Sequence, residues 1–258
     1  MKIYAYGIIN SSDQLDKPIY GLEGARVYNI PYGDLGVVVS DINEPIRETT
    51  NDILEHEGVV EKLMTNYTVL PVRFRTVLNG EKPLLSMAQY YYRDFEDNLN
   101  RLRDKVEFGI KIIWPAEKIK ESILNDCEEI IQESFILDDS PGKRFMRRNM
   151  INYKLDREFG KKADRFIKDI DTIIASLVAE KKLEKLKTEH LLLEANYLVE
   201  KDKQKEFIEV FDHVKSSFNG FWFLFSGPWP PYNFVILTRN FPLSKSARCA
   251  DMPDAVFT

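Results

Sequence analysis

The chain has 258 residues, of which 44% are hydrophobic and 12% aromatic, so it can build a core and is not a disordered protein. Its formal net charge of -5 argues against nucleic acid as the main partner, because phosphate binding needs a net-basic face. Cys127 and Cys249 show no CxxC spacing, MKIYAYGII lacks signal-peptide features, and no apolar run approaches the roughly 18 residues of a membrane span. We therefore expect a cytoplasmic protein without a membrane segment.

The first half of the chain alternates predicted strands with predicted helices. Runs of β-branched and aromatic residues between Gly, Pro, Asp and Asn predict strands at 2–9, 25–30, 36–42, 67–78 and 106–114. Pro71 should place its strand at a sheet edge or bend it. Helix 49–66 opens with Thr and Asn capping candidates, and helix 82–105 carries a proline near its first turn.

After Pro115 the pattern changes to long helices. One is predicted at 115–136, and apolar residues at three- and four-residue spacing predict another over 144–186, about 65 Å long if unbroken. A strand at 189–201 and a helix at 201–220 follow. FWFLFSG and YNFVILT should then close the fold as two further strands.

This order of elements predicts an α+β protein with two domains. A small sheet with helices should form the N-terminal domain over 1–105. Without the first long helix, the order from Val106 is β-α-β-α-β-β, which predicts a modified ferredoxin-like domain with long helices over 106–240. The residues 241–258 show no periodicity and form a predicted tail.

Catalytic and metal motifs are absent from the sequence. His56 and Glu57 begin like the zinc-protease HExxH pattern, but Val60 stands where the second histidine is needed. The interpretation we favour is a polar helix face on which His56 partners a carboxylate. There is no P-loop motif and no GxGxxG after a strand. We therefore predict no catalytic residue, no cofactor site and no metal site.

Two basic clusters are candidates for binding a partner. SPGKRFMRR carries Lys143, Arg144 and Arg147 near a helix start, where they either pair with acids such as Asp138 and Asp139 or form a docking patch. VLPVRFRT places Arg73 and Arg75 on one side of a strand. These two arginines either belong to an amphipathic edge strand or anchor acidic residues of a partner.

The stretch GPWPPYNFV combines two aromatic residues with three prolines. It predicts a stiff apolar turn between two strands, in which a Trp-Pro or Pro-Pro bond is a candidate for the cis isomer. Trp229 and Tyr232 either pack on the protein's own helices or present a rigid anchor to a partner. The two roles are compatible if one ring points inward and the other is exposed.

Three stretches together resemble the gas vesicle protein F/L family (GvpF/GvpL). ILEHEGVVEKLMTNYTVLPVRFRTVL is similar to the family's His-Glu helix and its following Leu-Pro-Val-Arg-Phe-Gly-Thr segment. SPGKRFMRRN resembles a basic helix start of the family, and FSGPWPPYNFV resembles its C-terminal signature, the most specific of the three. The resemblance covers residues 2 to about 237. Arg75 departs from it, because the family usually has glycine there.

The resemblance implies a non-enzymatic component or assembly factor of gas vesicles. Its expected partners are the hydrophobic main shell protein (GvpA type) and other accessory proteins, and covering the apolar shell subunits would prevent their aggregation. The expected location is the gas vesicle or the cytoplasm around it. A small-ligand-binding regulatory α+β module is the alternative, and a weaker one is an anion- or nucleotide-dependent enzyme that uses the two basic clusters.

Overall fold

The computed structural model describes residues 2–43, 46–128, 130, 132 and 140–238. Two compact units divide the chain: unit 1 holds Met1–Glu107 and the segment from Gly227 onward, and unit 2 holds Phe108–Ser226. Residues 227–238, which the sequence analysis assigned to the domain 106–240, therefore group with the N-terminal part. The expected tail 241–258 lies outside the described residues.

A six-stranded antiparallel sheet forms the framework of unit 1. Its strands are β1 (Lys2–Ile9), β2 (Ile19–Tyr20), β3 (Arg26–Tyr32), β4 (Leu35–Ile42), β5 (Val69–Pro71) and β6 (Val77–Leu78). They lie in the order β2-β3-β4-β1-β5, and β6 also pairs with β1. The side chains of β1 and β4 are buried on both faces, so the centre of this sheet is covered on both sides.

Two helices provide this cover. α1 (Thr50–Met64) begins after Thr49, whose hydroxyl accepts a hydrogen bond from the backbone N–H of Asp52 at 3.1 Å. Its buried residues pack on the sheet face that carries Tyr4. α2 (Glu81–Arg101) contacts β1 and β3 and covers the other face.

Unit 2 is organised around a four-stranded sheet in the order β10-β7-β9-β8. Its strands are β7 (Lys105–Ile113), β8 (Val178–Lys185), β9 (Leu191–Glu200) and β10 (Trp222–Trp229), and β7 and β10 each continue into unit 1. The helices are α3 (Ala116–Asp126), α4 (Pro141–Ile174) and α5 (Gln204–Ser217). Short 3-10 helices lie at Leu22–Gly24, Ala175–Leu177, Lys201–Lys203 and Tyr232–Phe234.

Aromatic rings form the core of unit 2. Phe207 and Phe211 of α5 each stack on a ring of the sheet, at 5.0 Å from Phe108 and 5.0 Å from Phe225 respectively. Phe223 also contacts Phe211, so alternate residues of β10 face α5. The inner face of β10 is therefore held by ring packing.

The prediction of an α+β fold is confirmed, but three predicted elements are wrong. The long helix ends at Ile174 instead of 186, because residues 178–185 pair with β9 as strand β8. The strand predicted at 67–78 is two short strands joined by a turn. No strand follows β10 in the described residues: YNFVILT contains a 3-10 helix and then irregular backbone.

Candidate functional site

Two of the three motif stretches meet inside unit 1. His56 and Glu57 lie on α1, Arg75 lies in the turn between β5 and β6, and Tyr232 lies in the 3-10 helix of the C-terminal motif. Tyr4 of β1 completes this set. We call these five residues the buried network, which Arg75 joins only through its backbone N–H because its side chain is exposed.

His56 is fully buried and hydrogen-bonded. Its Nδ1 lies 2.8 Å from the Tyr4 hydroxyl, and that hydroxyl accepts a hydrogen bond from the backbone N–H of Arg75 at 3.1 Å. Because this hydroxyl already accepts from Arg75 and the Val72 carbonyl lies near the ring, we assign Tyr4 as the donor to Nδ1 and the imidazole proton to Nε2. Nε2 has no well-formed hydrogen-bond partner among the described residues, and the His56 ring stacks on Tyr6.

Burial controls the protonation state of His56. Desolvation lowers the pKa of His56 to about 4, and the nearby Val72 carbonyl only partly opposes this effect. His56 is therefore neutral at pH 7. A neutral, enclosed imidazole that accepts a hydrogen bond from Tyr4 connects α1 with β1 and with the turn at Arg75.

Glu57 is the acidic member of the network. Its Oε1 accepts a hydrogen bond from the Tyr232 hydroxyl at 2.9 Å, whereas its buried Oε2 has no hydrogen-bond partner among the described residues. Burial raises the pKa of Glu57, the Tyr232 hydrogen bond lowers it, and the charge of Glu61 raises it. Burial also raises the pKa of Tyr232, so its hydroxyl keeps the proton that it donates to Glu57.

The turn after β5 places Arg75 in a conformation that favours glycine, the residue that the family resemblance leads us to expect there. Arg75 has a φ of 70°, in the left-handed region that glycine adopts without steric cost. The Thr76 hydroxyl donates to the Arg73 carbonyl at 2.7 Å and closes the turn. The tight turn therefore persists with arginine, whose guanidinium pairs with Glu48. Arg73 begins this turn and Arg75 lies within it, so the two arginines do not lie on one side of a strand.

The C-terminal motif contains a cis peptide bond at Gly227-Pro228, and not at the Trp-Pro or Pro-Pro bonds. Trp229 is 36% exposed, and Tyr232 is half-buried in the network. The segment after Tyr232 does not pair as a hairpin strand within the described residues. Instead, it is held by side chains.

Polar side chains of α2 hold this segment, which we call the strap (residues 233–238). Asn98 Oδ1 accepts from the Ile236 N–H at 2.9 Å, and Asn98 Nδ2 donates to the Ile236 carbonyl at 2.6 Å. Asp94 accepts from the Thr238 hydroxyl at 2.7 Å. The strap thus finds its backbone partners in an amide side chain rather than in a strand.

Sequence reasoning missed Asp94, Asn98 and Glu107, which are all buried. Glu107 accepts from the Asn233 backbone N–H at 2.9 Å. Asp94 and Asn98 stand four residues apart among the apolar positions of α2, and polar residues on a buried helix face were the signal available in the sequence.

The basic cluster Lys143, Arg144 and Arg147 belongs to the first turns of α4 in unit 2 and is not part of the buried network. Its suggested partners Asp138 and Asp139 lie outside the described residues. An open depression of about 570 Å³ in unit 1 is lined by Tyr32, Gly33, Gln89, Tyr90, Tyr92 and Arg93.

In the described part of the chain, no group of three or more His, Cys, Asp or Glu residues has metal-binding geometry. None of the described helices is long and apolar enough to cross a membrane. The chemistry of the buried network is that of a hydrogen-bonded core joining distant motifs.

A family model described as gas vesicle synthesis protein GvpL/GvpF matches residues 2–236, and the chain belongs to this family. It is 26% identical to gas vesicle protein F1 of Halobacterium salinarum, over 90% of this chain and 92% of that one. It is 25% identical to gas vesicle protein F of a Streptomyces species, over 91% of this chain and 100% of that one. The predicted family is thus confirmed, and with it a role associated with gas vesicles.

Two solved structures share the fold. The crystal structure of GvpF from Anabaena matches with a TM-score of 0.81 at 17% identity, covering 92% of this chain and 99% of that one. GvpF from Microcystis aeruginosa matches with a TM-score of 0.77 at 18% identity and the same coverage. At these identities the likeness concerns the fold alone.

Proposed function

We propose that this chain is a non-enzymatic accessory protein that binds the hydrophobic main shell protein of the gas vesicle (GvpA type). By covering an apolar strand of the shell subunit, it would keep that subunit from aggregating before assembly. This would take place at the gas vesicle or in the cytoplasm around it. Family membership supports the gas vesicle role. The observation that carries the finer proposal is the contrast between the two edges of the sheet in unit 2.

The β8 edge is protected by charge. The strand carries three lysines, Lys181, Lys182 and Lys185, together with Glu180 and Glu184. Lysines on an edge strand oppose pairing with another chain, because a second strand would have to desolvate them. This edge is built to stay unpaired.

The β10 edge lacks this protection. Trp222 is 75% exposed, Leu224 is exposed, and no charged residue occurs in Trp222–Trp229. Phe223 and Phe225 hold the strand from the opposite face through Phe211. An uncharged, aromatic and rigidly held edge is suited to the addition of an apolar strand, in which main-chain hydrogen bonds provide affinity and side-chain packing provides specificity.

The remaining candidate residues divide by their contacts. Trp229 ends the same strand with a partly exposed ring and Arg73 is exposed, so we include both as further contacts of the shell protein. Lys143, Arg144 and Arg147 are exposed or half-exposed on α4 and remain a proposed partner surface. Arg75 pairs with Glu48 and Tyr232 donates to Glu57, both within unit 1. These two residues therefore stabilise the fold, whether or not they also contact a partner.

Co-expression with a gas vesicle shell protein tests this proposal. We expect the wild-type chain to recover the shell protein in a soluble complex, and Leu224→Lys to lose it, because the new charge imitates the protected edge. Leu183→Lys on β8 is the matched control, since Leu183 is also exposed on an edge strand. Equal recovery by both variants would contradict the β10 site, and no complex with the wild type would contradict binding of the shell protein.

A further inference from the structure

The first turns of α4 form an exposed, basic and apolar arm, which we define as residues 141–154. The sequence PGKRFMRRNMINYK contains no acid, and Arg144 and Arg148 make no ion pair in the described part of the chain. Met146, Met150 and Tyr153 follow one another at i, i+4 and i+7 and are all exposed, Tyr153 to 70%. The arm therefore presents an apolar stripe beside the cations Arg144 and Arg148.

This stripe is not a continuation of the core-facing side of α4. The buried residues of the helix are Phe159, Ala163, Ile170 and Ile174. At 100° per residue, Met146, Met150 and Tyr153 lie about 110° around the helix from that line. Packing of the rest of α4 within unit 2 therefore leaves the stripe uncovered.

A complementary surface lies on α1, on the side opposite its buried residues. Leu54, Gly58 and Glu61 also follow one another at i, i+4 and i+7, and Leu54 is 63% exposed beside exposed Ile53. The acids of this helix are Asp52, Glu55, Glu57 and Glu61, against the single lysine Lys62. This α1 face thus presents Leu54 beside the exposed or half-exposed acids Glu55 and Glu61, whereas Glu57 is bonded to Tyr232.

Gly58 is the second sign that something packs on the α1 face. Glycine weakens a helix interior relative to alanine. Packing within the described part of the chain does not require glycine here, because a Cβ at position 58 would meet no atom within 4 Å and the residue has a helical backbone. A small residue on an exposed helix face, next to an exposed leucine, lets the backbone of another helix approach closely, as at interfaces between packed helices.

We propose that the arm of one copy of this chain docks on the α1 face of a second copy. Met146, Met150 and Tyr153 would pack along Leu54 and Gly58, and Arg144 and Arg148 would face Glu55 and Glu61. The two surfaces differ, so the contact is head-to-tail and leads to rings or open chains instead of closed pairs. A contact of about three helical turns is small, so the association is weak and dependent on salt.

Sedimentation velocity of the purified full-length chain tests for self-association. We expect the sedimentation coefficient to rise with protein concentration up to the order of 100 µM at low salt, as for a weak contact. In about 1 M salt, where the screening length falls to about 3 Å, the rise should disappear. A monomer at every concentration in low salt would overturn the proposal, including the case in which an arm folds back onto α1 of its own chain.

A charge exchange tests the pairing itself. Variant one, Arg144→Glu with Arg148→Glu, places acids at the contact positions of both surfaces, and variant two, Glu55→Lys with Glu61→Lys, places lysines at the contact positions of both. Each alone should be monomeric, whereas their equimolar mixture should associate again, because each arm then meets an α1 face of opposite charge. Failure of the mixture to associate, with both variants folded by circular dichroism, would overturn the proposal.

Gly58 provides a test that leaves the charges unchanged. Gly58→Leu should abolish self-association by blocking the close approach. The control is Gly160→Leu on α4, where a Cβ would also meet no atom within 4 Å, and it should leave self-association intact. None of these variants changes β10. Recovery of the shell protein by a monomeric variant would show that binding of the shell protein at β10 does not depend on self-association, so the two proposals can be tested independently.

Discussion

The hydroxyl of Tyr232 donates a hydrogen bond to Glu57 Oε1 at 2.9 Å, although 175 residues separate the two in the chain. This contact joins the C-terminal motif to the His-Glu helix. Both side chains are withdrawn from water, so the bond is formed where a missing partner is costly. The motifs are thereby parts of one core.

Tyr232→Phe should lower the free energy of unfolding by about 1–2 kcal/mol at pH 7, because the Glu57 carboxylate loses its donor. Burial raises the pKa of Glu57, so its folded pKa exceeds the unfolded one and the cost of the charge is absent at acid pH. The loss should therefore shrink as pH falls toward about 4. Urea unfolding at both pH values measures this, with Tyr153→Phe as an exposed control. An equal loss at both pH values would contradict the role of the carboxylate.

His56 should make the fold sensitive to acid. Its folded pKa of about 4 lies below the unfolded value of 6.5, so the unfolded chain binds more protons between them. Stability should therefore be constant above pH 6.5 with respect to this group and fall by about 3 kcal/mol as pH drops toward 4. His56→Gln keeps an acceptor for Tyr4 but cannot titrate. Its unfolding free energy should show a shallower pH slope, and a slope equal to that of the wild type would refute this assignment.

Arg75 allows the backbone and side-chain effects to be separated. Arg75→Ala loses the contact with Glu48 and keeps a Cβ at a φ of 70°. Arg75→Gly loses the same contact but removes the steric conflict. We expect the glycine variant to be more stable than the alanine variant by about 1 kcal/mol in thermal unfolding. Equal melting temperatures would mean that the turn tolerates a side chain without cost.

Asn98 should control the strap. Asn98→Ala leaves the Ile236 N–H and carbonyl without their partners, which should cost about 1–3 kcal/mol and release the strap before global unfolding. Amide exchange at Ile236 should accelerate while amides of β1 keep their protection. Asn100→Ala, at an exposed position of α2, is the control. Unchanged exchange at Ile236 would show that the side chain does not hold the strap.

The two tryptophans Trp114 and Trp229 should differ in their effect on stability. Trp114 is buried and its Nε1 donates to the Glu189 carbonyl at 2.8 Å, so Trp114→Ala should cost about 3–5 kcal/mol. Trp229 is 36% exposed, and Trp229→Ala should cost only about 1–2 kcal/mol. Chemical denaturation compares the two. A loss at Trp229 as large as that at Trp114 would assign its ring wholly to the core.

Local patterns were sufficient for the elements whose residues carry their own signal. Thr49 marks the start of α1 because its side chain caps the helix, and the alternating apolar runs of β1 and β4 predict strands. The strand β8 was mistaken for helix because Glu, Lys and Leu favour helices in isolation. Seven paired positions with β9 override this preference.

The sequence by itself determined the family, the α+β class and the chemistry of the motifs, since these depend on residue types in a fixed order. Only the tertiary structure decided that Tyr4 joins His56 to the backbone of Arg75, that Tyr232 donates to Glu57, and that the strap rests on Asn98 instead of a strand. Hydrogen bonds between residues more than a hundred positions apart leave no periodicity in the sequence. Their partners are set by burial, which penalises every polar group that the folded chain leaves unpaired.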